Sequence, residues 1–357
     1  MHRELGSNRE ALASYTYRVL IAVAVIALAV LAWALADVLM LMFGGVLLAT
    51  ALRALSDPLS VHSPLSSRLA LLVVVVALAG LLAAVLWVSG AQIASQLQQL
   101  TQVLPGAVES MRRWLDASPL GATVVNLAQR GFEGARGTVS GIARFASATF
   151  GALANVLLIL FLGLYLAVEP SLYRRGVLHL VPIAARERTG IALDASGRAL
   201  KKWLLGQLIA MVSIGVITGI GLWLLGVPLA LSLALIAGVT EFIPFIGPIL
   251  GAIPGVLVAF TVGGAMPLYV IVLYLIIQQV EGNVLMPIVQ KWAVALPPAL
   301  GLLGVVIFGL LFGMLGVLFA TPLMVVVMVL VQKLYVDAAV EVKPPSPAVK
   351  VGRSEAV

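Results

Sequence analysis

The chain has no cysteine, only three histidines and few charges: Asp, Glu, Lys and Arg together make up 10% of its 357 residues. Each scarcity removes a class of explanation. Without cysteine there is no disulfide framework, no thiolate nucleophile and no cysteine-based zinc or iron–sulfur site. His2, His62 and His179 lie far apart in segments between apolar runs, so neither a histidine metal centre nor a catalytic triad is expected. No glycine-rich phosphate loop with a following lysine occurs, which argues against ATP-driven work. The expectation is a protein that is not an enzyme and holds no metal and no cofactor. Soluble domains carry about 25% charged residues. This chain has 62% hydrophobic residues and a mean hydropathy of +1.12, the composition of a polytopic membrane protein. Its net charge of +7 does not point to nucleic acid, because the basic residues form no stripe with interleaved aromatics.

Apolar windows place spans near 19–36, 38–55, 69–88, 150–168 and 203–225, then a tract at 229–262, a span near 266–280 and a tract at 299–331. They predict an all-α fold with about eight membrane segments. Residues 1–88 hold three spans, 89–149 form an extramembrane insertion, and 150–335 form a C-terminal transmembrane core. The tail 336–357, with Lys343-Pro-Pro-Ser-Pro, reads as disordered. Arg3, Arg9 and Arg18 ahead of an apolar run have the look of a signal peptide. Asp37 alone separates that run from the next, so a retained helical hairpin is expected instead. In the insertion, Ile93, Leu97, Leu100, Leu104, Val108, Met111 and Leu115 recur at helical steps among Gln92, Gln96, Gln98, Gln99 and Gln102. That is an amphipathic helix, with a bend allowed at Pro105. Orientation follows from Arg174, Arg175, Arg186, Arg188, Arg198, Lys201 and Lys202 between the fourth and fifth spans. Positive loops stay in the cytoplasm, which puts both termini inside and residues 89–149 outside.

The tract 229–262 is the most informative. Glu241 is its only charge, and as one straight helix it would reach roughly 50 Å against about 30 Å of hydrocarbon. Pro244 and Pro248 each lack an N–H and disfavour helix in the residue before them. With Gly247 they predict a broken, re-entrant helix. Broken backbone persists at membrane depth only where protein or a cavity covers it, and a charge there costs about 2.5–3.5 kcal/mol. Burial also disfavours the charged form of a carboxyl, so Glu241 is the candidate for a coupling proton or ion. The alternative is that it caps N–H groups freed by the break, or sits among headgroups.

A second cluster, Gln278, Gln279, Glu281, Gly282 and Asn283, closes the next span before Pro287, which is expected to break helix again. Glu281 is a candidate ion ligand; Gln278, Gln279 and Asn283 are candidate solute-binding groups. A polar helix end at the headgroups is the competing reading. Gln207, early in the fifth span, is a further solute-binding candidate or an amide bonding across to another helix. Glycines four apart, at 247, 251 and 255, at 215 and 219, and at 309 and 313, read as close-packing faces. The uncharged tract 299–331 is too long for one span, and Gly313, Gly316 and Thr321-Pro322 offer places to fold or bend it.

These pieces in order resemble the AI-2E family of bacterial inner-membrane transporters, named for export of autoinducer-2. The resemblance runs from Gln96–Leu100, Leu104-Pro105 and Trp114 through Tyr165, Pro182 and Arg186/Arg188. It continues with Gly206-Gln207, Gly221–Pro228, Glu241–Pro248, Gln278–Pro287 and Thr321-Pro322, covering roughly residues 15 to 335. The family's glycine-arginine pair and histidine after Pro287 are replaced by Val289-Gln-Lys-Trp-Ala-Val-Ala-Leu-Pro-Pro298, so no role of that histidine transfers. The resemblance implies a secondary transporter in the inner membrane and a homo-oligomer, with a pentamer as the expected form. The reading is export of a small polar solute of the autoinducer-2 type, coupled to protons at Glu241. Members also include sodium(lithium)/proton antiporters, which is the alternative. A membrane scaffold acting through 89–149 is the alternative from another class.

Overall fold

The computed structural model describes residues 33–116, 142–290 and 296–337, with isolated positions between 15 and 31. Every element in the described residues is helical. The expected span 19–36 and tail 336–357 lie largely outside them, as do residues 117–141 and most of the stretch after Gln290 that carries Lys291.

Helix α1 (Ala36–His62) covers the expected 38–55 span, with Asp37 in its first turn. Helix α2 (Ser67–Asp116) has 50 residues, roughly 75 Å at about 1.5 Å per residue. Only its start, Ser67–Ala84, is long and apolar enough to cross a membrane. It runs unbroken across residues 88–89, so the third span and the amphipathic segment are one rod. Pro105 sits inside it. A proline there costs helix stability, but Leu100 and Ala107 on either side are buried and hold the rod together.

Helix α3 (Ile142–Val168) packs on α1 through small residues: a side chain at Gly45 would meet Leu162, and one at Gly163 would meet Leu48. Arg53 closes the joint, donating from Nε to Ala167 O at 2.6 Å and from a terminal nitrogen to Val168 O at 3.1 Å. Those carbonyls belong to the end of α3, where intrahelical partners run out. The chain turns by 90° at Glu169 because Pro170 opens the next helix, α4 (Pro170–His179). Arg68 pairs with Glu169 at 2.6 Å. The basic stretch between the fourth and fifth spans is therefore folded, as α4 and the first turns of α5 (Arg186–Leu224).

The tract 229–262 folds into two short helices, α6 (Ala230–Thr240) and α7 (Gly247–Val262). A side chain at Gly251 would strike Ala237, so the two lie against each other as a hairpin with its tip at 241–246. Helix α8 (Met266–Val280) widens into a π segment, Glu281–Leu285, and continues as α9 (Met286–Gln290). Pro287 does not break it. The wide turn takes up the missing N–H and the ring clash that a regular helix would not tolerate.

Helix α10 (Pro298–Val331) contains one non-helical residue, Gly313, at φ 61° and ψ −143°. A side chain at Gly304 would reach Met324 and Ala320, twenty and sixteen residues on, so the two halves fold back on each other. Of the three expected places for the bend, Gly313 alone takes it; Pro322 stays inside helix.

By length and composition, five described helices can cross a membrane, or six if the bent α3–α4 pair counts as one span. Two of the eight expected segments account for the difference. One is 19–36, largely outside the described residues; the other is 229–262, whose two helices are individually too short to be counted.

Candidate functional site

The site is built at the hairpin tip. Apolar α6 stops at Thr240 because Pro244 cannot donate to the ladder. Tight turns replace it, with Phe242 N donating to Val239 O at 3.2 Å and Gly247 N to Ile243 O at 2.7 Å. Phe245 takes a left-handed φ of 70°, a conformation costly for a bulky residue. At Gly247 a side chain would collide with the Thr240 carbonyl, so the return into α7 requires glycine, and Pro248 then starts that helix. Pro244, Gly247 and Pro248, from which a broken, re-entrant helix is expected, thus lie at or beside the turn between α6 and α7.

Neighbouring helices lock the tip. Gln207 on α5 is buried, and its Nε2 donates to the Glu241 backbone carbonyl at 2.5 Å. Trp203, one turn earlier, meets the Phe242 ring edge-on at 5.9 Å. The Phe245 ring lies where a Gly301 side chain would be. The Glu241 side chain is 1% exposed, and among the described residues its carboxyl oxygens have no hydrogen-bond partner other than the neighbouring carboxyl of Glu281.

Glu281 comes to it from α8. It opens the π segment, is 6% exposed, and accepts a hydrogen bond at Oε2 from Gln278 Nε2 at 3.0 Å. Its carboxyl lies within electrostatic range of Glu241. Two carboxylates forty positions apart in sequence are thus brought together, and no salt bridge among the described residues includes either. Among the described residues no group of three or more His, Cys, Asp or Glu could hold a metal ion.

The second polar cluster is divided. Asn283 Nδ2 donates to Gln279 O at 3.0 Å and to Gln279 Oε1 at 2.9 Å, and both residues are exposed. They sit in a shallow groove beside Leu275 and Ile276. Gln278 is exposed as well but reaches back to Glu281. Gln207 contacts the hairpin backbone.

Sequence reasoning missed Trp203, Phe242, Phe245 and Tyr274. Tyr274 OH donates to Gly251 O at 3.4 Å and fills the space at Gly255. Spacing held the signal. Trp203 and Gln207 are four apart, and Tyr274, Gln278 and Glu281 fall at i, i+4 and i+7, so each set shares one helix face.

The profile described as AI-2E family transporter matches residues 21–335. The chain belongs to the AI-2E transporter family. This is a family of transport proteins and permeases, not of enzymes. The chain is similar to YrrI of Bacillus subtilis (strain 168), provisionally assigned as a transport protein. They share 35% identity over 162 residues, 45% of this chain and 46% of that one. It is 29% identical over 244 residues to MT0215 of Mycobacterium tuberculosis (strain CDC 1551 / Oshkosh), with the same provisional assignment, covering 65% of each chain. It is 33% identical over 126 residues to PerM of Escherichia coli (strain K12), provisionally assigned as a permease, covering 35% of this chain and 36% of that one. The chain spans about half the length of the first of these relatives. Family and fold together make this an integral membrane protein of the AI-2E transporter family.

Proposed function

We propose that this AI-2E family member is a secondary transporter of the bacterial inner membrane. On this reading it exports a small polar solute of the autoinducer-2 type, and the Glu241–Glu281 pair carries the coupling proton. One observation carries the reading: a carboxyl 1% exposed, at the tip of a broken helix, with only the Glu281 carboxyl to share a proton with among the described residues. Two neighbouring carboxylates cannot both stay charged in a dry site. At least one proton or cation must occupy the pair, and its arrival and release is a coupling event. The cytoplasmic placement of both termini belongs to the same proposal and rests on the basic residues of α4 and α5.

A second reading, sodium(lithium)/proton antiport, is favoured by one fact. Gln279 and Asn283 bond to each other on the exposed face, which leaves the buried pair with carboxylates and little else to recognise a solute. The scaffold reading loses ground because the described part of 89–149 packs against the hairpin. The deciding experiment is flux in proteoliposomes with autoinducer-2, sodium or lithium, with and without a proton gradient. Gradient-driven autoinducer-2 flux that disappears in Glu241→Gln supports export. Cation-dependent proton movement without solute flux replaces it with antiport. Wild-type flux in Glu241→Gln overturns the role of the pair.

A further inference from the structure

The far half of α2 has no part in the transport reading, yet it does not stand free. Leu100 is buried in one cluster with Val227, Leu233 and Val258, at the open end of the hairpin. The contact is also polar. Helix α6 follows Leu229, which sits at φ 63° and offers no side-chain cap. The first N–H groups of a helix have no acceptor within it. Gln96 on α2 supplies one. Its Oε1 accepts from Ser232 N and from Ser232 Oγ, both at 3.2 Å. Ser232 is the third residue of α6 and is fully buried, so without Gln96 its N–H would be left unsatisfied, at a cost.

We propose that Gln96 is a positioning residue through which the α2 arm holds the hairpin's first helix and, along α6, its tip at Glu241. Ser232 and Glu241 are nine residues apart on one apolar helix, about 14 Å, with no proline between them. A rigid rod of that length passes a displacement at one end to the other. The consequence for transport rests on the reading given above; the mechanical link does not.

The test compares wild type, Gln96→Ala and Gln96→Glu by amide hydrogen exchange in detergent and by flux in proteoliposomes. Glutamate keeps an acceptor oxygen and suits a helix N-terminus, so its exchange matches wild type. In Gln96→Ala, the amides of Ser232–Leu235 and of Glu241–Ile243 exchange about fivefold faster, the size expected for a lost cap, while α1 is unchanged. Maximal flux falls in Gln96→Ala at constant KM and returns in Gln96→Glu. Unchanged exchange at Ser232–Leu235 in Gln96→Ala overturns the cap. Faster exchange there with none at Glu241–Ile243, or with wild-type flux, overturns the link to the tip. Wild-type protein that moves nothing defeats the transport reading instead, and exchange at the tip amides then decides this proposal by itself.

Discussion

The two folded-back tracts, 230–262 and 298–331, solve one problem in different ways. Each is apolar and too long for a single crossing, and each reverses. The second turns at a single residue, Gly313, with φ 61° and ψ −143°, and nothing ionisable lies within it. The first spends the residues 241–246 on its turn. It strains Phe245, buries a carboxyl whose one partner among the described residues is another carboxyl, and ties the tip down with Gln207 and Trp203. A turn that only had to reverse the chain needs none of this. The elaborate tip is therefore the place to look for function, and the plain one is a control supplied by the same molecule.

The comparison breaks most sharply at Glu241. Glu241→Gln removes a titrating group but keeps shape and burial, so the protein should stay folded and lose gradient-driven flux altogether. Glu281→Gln should do the same if the two act as a pair. The measurement is initial flux in proteoliposomes against an imposed proton gradient, beside thermal unfolding of the same preparations. Retained flux in both variants would leave the tip as ornate architecture and erase the contrast with the turn at Gly313.

The next effect is on stability. Gly313 lies in backbone space nearly closed to other residues, and Gly313→Ala should cost about 1–3 kcal/mol. Gly247→Ala would press a methyl group into the Thr240 carbonyl and should cost about 1–3 kcal/mol by overpacking. Equal losses of thermal stability are thus expected. Flux should separate them, with Gly247→Ala impaired beyond its loss of folded protein and Gly313→Ala impaired only in proportion to it.

Much of this contrast was legible in the sequence, and the reason is physical. Prolines, glycine and a lone charge in a long apolar tract report on the chain locally, so the interruption near Pro244 and the placing of Glu241 beside it could be read directly. Periodicity likewise revealed the helical character of 93–115. What it could not reveal was that this helix continues the third span, because Pro105 and the run of glutamines look like an ending. Nor could composition divide Gln278 and Glu281 from Gln279 and Asn283. That division depends on which face of α8 meets the hairpin, a tertiary fact. The 19–36 span lies largely outside the described residues, and Asp37, expected to separate it from the next span, lies within the first turn of α1, with Leu39 N donating to Leu35 O at 2.9 Å across it.

The smallest effect sharpens the comparison further. Trp203 and Phe242 touch edge to face at 5.9 Å, and both also join the cluster around buried Val325 in the second hairpin. They are the apolar counterpart of the Gln207 hydrogen bond, holding the tip from the same helix. A double-mutant cycle with Trp203→Leu and Phe242→Leu, read by thermal or denaturant unfolding, should give a coupling of about 0.5–1.5 kcal/mol. The second hairpin has a comparable pair in Phe308 and Phe312, stacked at 6.2 Å, but both rings lie on one arm beside the turn. Their cycle should give a similar energy without altering flux. If the Trp203–Phe242 cycle also leaves flux untouched after correction for folded protein, the aromatic clamp serves stability alone. Positioning of Glu241 then falls to Gln207 and to the closed turn at Gly247.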